Sequence, residues 1–195
     1  MPLDPKKRRP LTRPRERAQL PLTDKPRRGG QGVVVGMPRV GHGYDIHKLQ
    51  PGGQLVLAGV VVSQEVSPVA HSDGDVVIHA IVDALLGAMG WGDIGEMFPD
   101  TDPRWKGAAS RLFIEEVYPK VRAAGYRLSN LDVTVLAERP RLAPLKAQMI
   151  ASLAGMFGLG GTINLKAATN EGCDAVGRGE AVAAHAVVLL AKAQD

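Results

Sequence analysis

The segment GHGYDIHKL, Gly41 to Leu49, sets Asp45 and His47 two residues apart. On an extended strand residues i and i+2 share a face, so both side chains can point at one ion. The chain has 5 histidines, and four of them, His42, His47, His71 and His79, fall between positions 42 and 79. His79 lies in SDGDVVIHAIVDALLGAMG, where Asp75, His79 and Asp83 recur four apart and project from one side of a helix. The residues between them are apolar, and ionisable groups in such a setting are costly to bury unless they are paired or bind something. Two readings stay open for this helix. His79 is a core histidine satisfied by two carboxylates, or it is a ligand whose ring Asp83, one turn on, orients from behind. With Asp45 and His47 it completes an Asp/His/His set, which suits Zn2+ with one position left for water or substrate. Co2+, Mn2+ and Fe2+ accept the same donors.

The stretch AHSDGD, Ala70 to Asp75, adds His71, Ser72 and backbone amides at the start of a helix, a corner that favours an anion. On their own these residues are equally a helix cap, with Ser72 or Asp73 in that role and Gly90 at the far end. The element order that positions this chemistry is legible from pattern. RVGHGYDIHKL reads as a strand and QLVLAGVVV as a hairpin turning at Ala58-Gly59. A long Gly/Pro/Asp-rich loop, Gly92 to Gly107, follows the first helix, and loops of that length are often functional or mobile. ASRLFIEEVYPKVRAAG reads as a helix with a possible kink at Pro119, YRLSNLDVTVLAE as a strand, RLAPLKAQMIASLAGMFG as a helix and TINLKAAT as a strand. The Val-rich EAVAAHAVVLLAKA reads as a last strand. The order β, hairpin, α, α, β, α, β, β predicts an α+β fold, a split βαβ sandwich with a mixed sheet and helices on one face.

Composition narrows the partners. The net charge of +4 is uneven: residues 1–36 hold 10 Lys/Arg against 3 Asp/Glu, and the rest holds 14 against 17. The mildly acidic body disfavours nucleic-acid binding. No run of about 18 apolar residues suggests a membrane span. The 1 cysteine, Cys173, excludes internal disulfides and fits a reducing compartment, cytoplasm or plastid stroma. Residues 1–36 are expected to be a basic, Pro-rich disordered tail before a single domain over 37–195. The tail has no serine and contains Asp4, Glu16 and Asp24, which argues against a transit peptide, and it has no apolar core of a secretory signal. A working start at Met37 is an alternative.

RVGHGYDIHKL, AHSDGDVVIHAIVDALLGAMGWGDIGEMFPDTDP and GRGE together resemble the 2-C-methyl-D-erythritol 2,4-cyclodiphosphate synthase family, over Pro38 to about Lys192. The resemblance implies a ferredoxin-like homotrimer with active sites between subunits. It implies cyclisation of a small nucleotide-linked substrate, 4-diphosphocytidyl-2-C-methyl-D-erythritol 2-phosphate, with release of CMP. Asp45, His47 and His79 match its metal ligands, usually to zinc. His71 and Ser72 match phosphate contacts, and Thr169 falls at another. Glu171 matches a carboxylate that helps hold a second ion, Mg2+ or Mn2+, on the diphosphate. His71, Thr169 and Glu171 are the residues expected to take part in catalysis. Asp93 and Gly95 match contacts to the methylerythritol or ribose. Ala137, Pro140 and Arg141 match the segment that cradles cytosine and the CMP phosphate. The chain departs from the family's usual KATTTEKLGFTGRGEG at Lys166 to Ala181, with Ala175 where phenylalanine is usual. That aromatic is expected to line an apolar cavity on the trimer axis, where Arg178 remains as an anion ligand.

Overall fold

The computed structural model describes residues 37–158 and 161–193, so the tail expected over 1–36 lies outside the described residues. Strand β1 (Arg39–Pro51) alternates buried and exposed positions as a half-covered strand must. The hairpin is present as β2 (Leu55–Leu57) and β3 (Val60–Ser63), a separate two-stranded sheet. Its turn has Ala58 at φ 54° and Gly59 at φ 73°, the pair of positive angles that a two-residue hairpin requires. A short strand, β4 (Val66–Pro68), has no counterpart in the sequence reading; at three residues it is too brief to show a period.

Helix α1 (Val76–Met89) ends on Gly90 in the left-handed region, as expected, but its N-cap is Asp75 rather than Ser72 or Asp73. The Gly92–Gly107 segment is not a bare loop. It holds a helical turn, α2 (Ile94–Met97), and a 3-10 turn at Pro103–Trp105. It is fastened by Phe98 and Trp105, whose rings lie 4.6 and 5.5 Å from that of Phe113. Then come α3 (Arg111–Ala123), which runs on through Pro119, β5 (Tyr126–Leu136), α4 (Lys146–Phe157), β6 (Thr162–Ala168), the turn α5 (Asp174–Gly177) and β7 (Ala181–Lys192).

The main sheet is mixed, five strands in the order β4-β1-β7-β5-β6. β7 runs antiparallel between β1 and β5, while β5 and β6 pair directly and in parallel. The long helices cover one face. There Ile78, Ile81, Leu85 and Leu86 of α1 meet Ile114 and Val121 of α3, Leu153 of α4, and Val133, Leu165 and Val188 of the sheet, all fully buried. Two glycines set how closely α1 lies on β1. A Cβ on Gly41 would stand 1.8 Å from the Ala84 carbonyl oxygen, and one on Gly43 would stand 1.9 Å from that of Ala80. The helix backbone thus rests directly on the strand backbone, and the side chains that follow on that face of β1, Asp45 and His47, arrive beside His79.

Candidate functional site

The close strand–helix contact brings together the three residues whose spacing suggested a metal. Oδ2 of Asp45 is 2.9 Å from Nδ1 of His79 and 3.3 Å from Nε2 of His47, and the two imidazole nitrogens are 3.1 Å apart. One donor atom from each residue lies within 4.8 Å of the other two. Burial acts to raise the Asp45 carboxyl, but the closeness of the His79 ring and the fields of both imidazoles outweigh it and hold the group below its usual range. Burial lowers His47, against the opposing pull of Asp45. The carboxylate is therefore ionised and the His47 imidazole neutral at neutral pH, the states that coordination demands. One carboxylate and two nitrogen donors converging from strand and helix fit a divalent cation, and borderline metals favour this donor set.

Behind His79 the arrangement differs from the expectation. Asp83 makes no hydrogen bond to the ring; its carboxylate accepts the Ile94 N–H at 2.7 Å and so ties the start of α2 to α1. Burial raises the Asp83 carboxyl. The groups against Nε2 of His79 are Ser110 Oγ at 2.9 Å and Ser72 Oγ at 3.1 Å. Ser110 is the second residue of ASRLF, which reads as a helix start, and nothing local shows that its hydroxyl turns inward.

The AHSDGD corner is built by Asp73 and Asp75. Asp75 is fully buried: Oδ1 accepts the N–H groups of Ala58, Val77 and Ile78, and Oδ2 that of Gly59 at 2.7 Å. It caps α1 and pins the β2–β3 turn in one set of bonds. Burial, opposed by those N–H groups, pushes its carboxyl up to about 6. Asp73 accepts the backbone N–H of Ser110 at 3.0 Å and that of Asp75 at 3.2 Å. His71 is exposed beside this corner, its carbonyl taking the Gly107 N–H at 2.8 Å. Asp93 caps α2 through the Glu96 N–H at 2.8 Å, with Gly95 exposed in the same turn.

The remaining expected residues lie at the same end of the sheet but on other strands. Ala137 follows β5, buried, and donates its N–H to the Ala168 carbonyl at 3.1 Å. Pro140 follows a cis peptide, and Arg141 is exposed. Past β6, Thr169 donates its hydroxyl to the Glu171 carboxylate at 3.1 Å, so those two are brought together. Glu171 has φ 52°, a conformation that costs a non-glycine residue and tends to occur at functional sites. Arg178 is engaged by Glu180 through two bonds, at 3.1 and 3.0 Å. Ile46 of β1 aligns with Ala183 of β7, which aligns with Leu136 of β5. β5 and β6 therefore lie two and three strands from β1, about 10 and 14 Å to the side at normal strand spacing.

Residues 38–191 match the model of the YgbB family. A Vibrio cholerae 2-C-methyl-D-erythritol 2,4-cyclodiphosphate synthase is 49% identical over 158 residues, 80% of this chain and 100% of the relative. The chloroplastic synthase of Arabidopsis thaliana is 46% identical, over 79% of this chain and 67% of its own. Among solved structures, a CDP-bound 2C-methyl-D-erythritol-2,4-cyclodiphosphate synthase aligns at 40% identity with a TM-score of 0.69, over 78% of this chain and 99% of that one. The bifunctional IspDF of Campylobacter jejuni aligns at 38% identity and TM-score 0.76, covering 82% of this chain and 43% of that longer one. Among the described residues no helix is long and apolar enough to cross a membrane. Site geometry, fold and sequence agree: the chain belongs to the YgbB family of 2-C-methyl-D-erythritol 2,4-cyclodiphosphate synthases.

Proposed function

We propose that this chain cyclises 4-diphosphocytidyl-2-C-methyl-D-erythritol 2-phosphate to 2-C-methyl-D-erythritol 2,4-cyclodiphosphate and CMP. The observation that carries the reading is the convergence of Asp45, His47 and His79 on one point beside the His71–Ser72 corner. An oxygen of the 2-phosphate attacks the β phosphorus, the bond from that phosphorus to the bridging oxygen breaks, and CMP leaves with that oxygen. Such a transfer needs alignment and charge neutralisation more than covalent help, and the nucleophile belongs to the substrate. Zn2+ held by Asp45, His47 and His79, and Mg2+ or Mn2+ held with the help of Glu171, would supply the positive charge that a mildly acidic body lacks. His71, Ser72 and Thr169 bind phosphate oxygens, Asp93 and Gly95 the methylerythritol or ribose, and Ala137, Pro140 and Arg141 the cytosine and its phosphate. Arg178 serves as an anion ligand on the axis.

We place the working site between copies of the chain, in a homotrimer. Two observations support this. The ligand triad and the Ala137–Glu171 region sit on strands too far apart for one diphosphate to touch both. The sheet face without long helices exposes Val40 (66%), Tyr44 (46%), Ile46 (42%) and Val187 (40%), and grouped exposed apolar side chains mark interaction surfaces. We read β1, the helices after it and β5, with β7 between, as the split crossover of a ferredoxin-like sandwich.

The test is phosphorus NMR of the full-length chain with the diphosphocytidyl substrate, beside its sedimentation behaviour. The expected result is cyclodiphosphate and CMP in equal amounts, abolished by chelator and restored by Zn2+ with Mg2+, from a trimer. A folded, metal-loaded trimer that releases no CMP would overturn the reading.

A further inference from the structure

We infer that Ser110, anchored by Asp73, is the positioning residue that fixes the tautomer of His79 and thereby which ring nitrogen is offered to the cation. The inference rests on the reading of Asp45, His47 and His79 as cation ligands.

Three polar or charged side chains are buried among the described residues: Asp75, His79 and Ser110. Asp75 is accounted for by its four N–H partners. Ser110 is not accounted for by its place in the chain. It stands at the N-cap of α3, where a serine hydroxyl ordinarily accepts an N–H from the first turn, yet it makes no such bond. Its hydroxyl is committed elsewhere: Oγ donates to Oδ1 of Asp73 and lies 2.9 Å from Nε2 of His79. Asp73 is held for this, since its Oδ2 accepts the Ser110 N–H at 3.0 Å.

A serine hydroxyl has one proton. With that proton given to the Asp73 carboxylate, Ser110 can only accept from His79. Nε2 of His79 must then carry a hydrogen, and a neutral ring is left with a bare lone pair on Nδ1. Nδ1 is the nitrogen 2.9 Å from Asp45 Oδ2 and 3.1 Å from His47 Nε2. A lone pair facing a carboxylate oxygen and a second imidazole calls for a positive charge among them. The chain Asp73–Ser110–His79 thus prepares the acceptor state of the ligand before any ion arrives, and fastens α1 to the start of α3 while doing so. Ring-orienting partners of this kind typically change metal affinity about 10–100-fold when removed. Ser72 Oγ is the competing partner, at 3.1 Å from the same nitrogen, but it is itself an acceptor for the Gly74 N–H at 3.2 Å and has no carboxylate holding it.

The test uses the full-length chain, stripped of metal and titrated with Zn2+ against a competing chelator. Ser110→Ala is expected to weaken Zn2+ by about 10–100-fold while remaining folded by circular dichroism. Ser110→Thr, which keeps the hydroxyl, is expected to recover most of that loss, which a packing role for the serine would not predict. Ser72→Ala is expected to cost less than Ser110→Ala. A folded Ser110→Ala chain that binds Zn2+ as tightly as the unaltered one overturns the inference, and so does a larger loss in Ser72→Ala. Nitrogen-15 shifts of the His79 ring in the unaltered chain provide a reading independent of any variant: the hydrogen is expected on Nε2, and a ring carrying it on Nδ1 alone overturns the assignment. An unaltered chain with the Nε2 hydrogen that takes up no Zn2+ would count against the cation reading and leave the relay standing.

Discussion

The two halves of the site are built differently. The ligand half, on β1 and α1, is made of partly or fully buried groups locked by backbone-to-backbone contact at Gly41 and Gly43 and by the hydrogen bonds behind His79. The other half, Ala137 to Arg141 and Thr169 to Glu171, is mostly exposed, with a strained residue at Glu171 and one side-chain bond from Thr169. Coordination needs sub-ångström placement and low mobility, which buried groups with fixed partners provide. A phosphate or base contact tolerates exposure until substrate closes over it. The ligand half is preformed within one chain; on the proposed reading, the other half is completed by substrate and a second copy.

Five measurements break or sharpen that contrast. Gly43→Val should have the largest effect, because its branched side chain has no room beneath the Ala80 carbonyl. It is expected to cost more than about 4 kcal/mol in urea unfolding and to abolish Zn2+ binding with it; a stable, metal-binding variant would show the close contact to be dispensable. His79→Ala should leave the fold in place while lowering CMP release more than about 100-fold, beyond what loss of an outer partner costs. Unchanged zinc content in that variant would remove His79 from the ligand set.

Asp75→Asn is expected next, at about 2–4 kcal/mol, through a lost cap and an N–H left facing an amide group. Its pH dependence has a definite sign. The folded-state value, about 6, lies above the ordinary 3.8, so the folded chain binds the extra proton between them. The contribution of Asp75 is fully present below about 3.8 and is lost as pH rises through about 6. The stability gap between the metal-free unaltered chain and Asp75→Asn should therefore be wider at the acid end of that window than above it. A gap that widens with rising pH would contradict this.

In the exposed half, Glu171→Gln should lower kcat/KM by about 10–100-fold, the worth of a charged hydrogen-bond partner, with zinc content and thermal stability unchanged. Loss of zinc in that variant would mean the halves are not separate. Arg178→Ala should be the mildest, with the thermal midpoint unchanged, since its partner Glu180 is as exposed as it is. A larger change, present at protein concentrations that favour association and absent on dilution, would show that Arg178 is buried between copies.

Much of this was legible before any coordinates. The alternation of β1, the apolar repeat of α1 with Gly90 after it, the Ala58-Gly59 turn and the final Val-rich strand are all local patterns, and each element is where its pattern put it. The cap of α1 was not, because Ser72, Asp73 and Asp75 are all competent caps. Only the Ala58 and Gly59 N–H groups, brought up from the hairpin, select Asp75. Helical spacing makes Asp83 a candidate partner of His79, but spacing says nothing of α2, whose first N–H claims that carboxylate. Ser110 has only the local signature of a helix start, and its bonds to His79 and Asp73 come from segments distant in sequence.

The sequence by itself determined which residues carry ligand chemistry and which elements hold them, because residue type and the periods of strand and helix are properties of short stretches of chain. Only the tertiary structure decided which groups stand behind His79 and how the two halves of the site divide across the sheet. Those follow from contacts between segments more than 30 residues apart, as His79 and Ser110 are, and there steric fit and competition for each buried donor leave one arrangement out of several that the chain would locally accept.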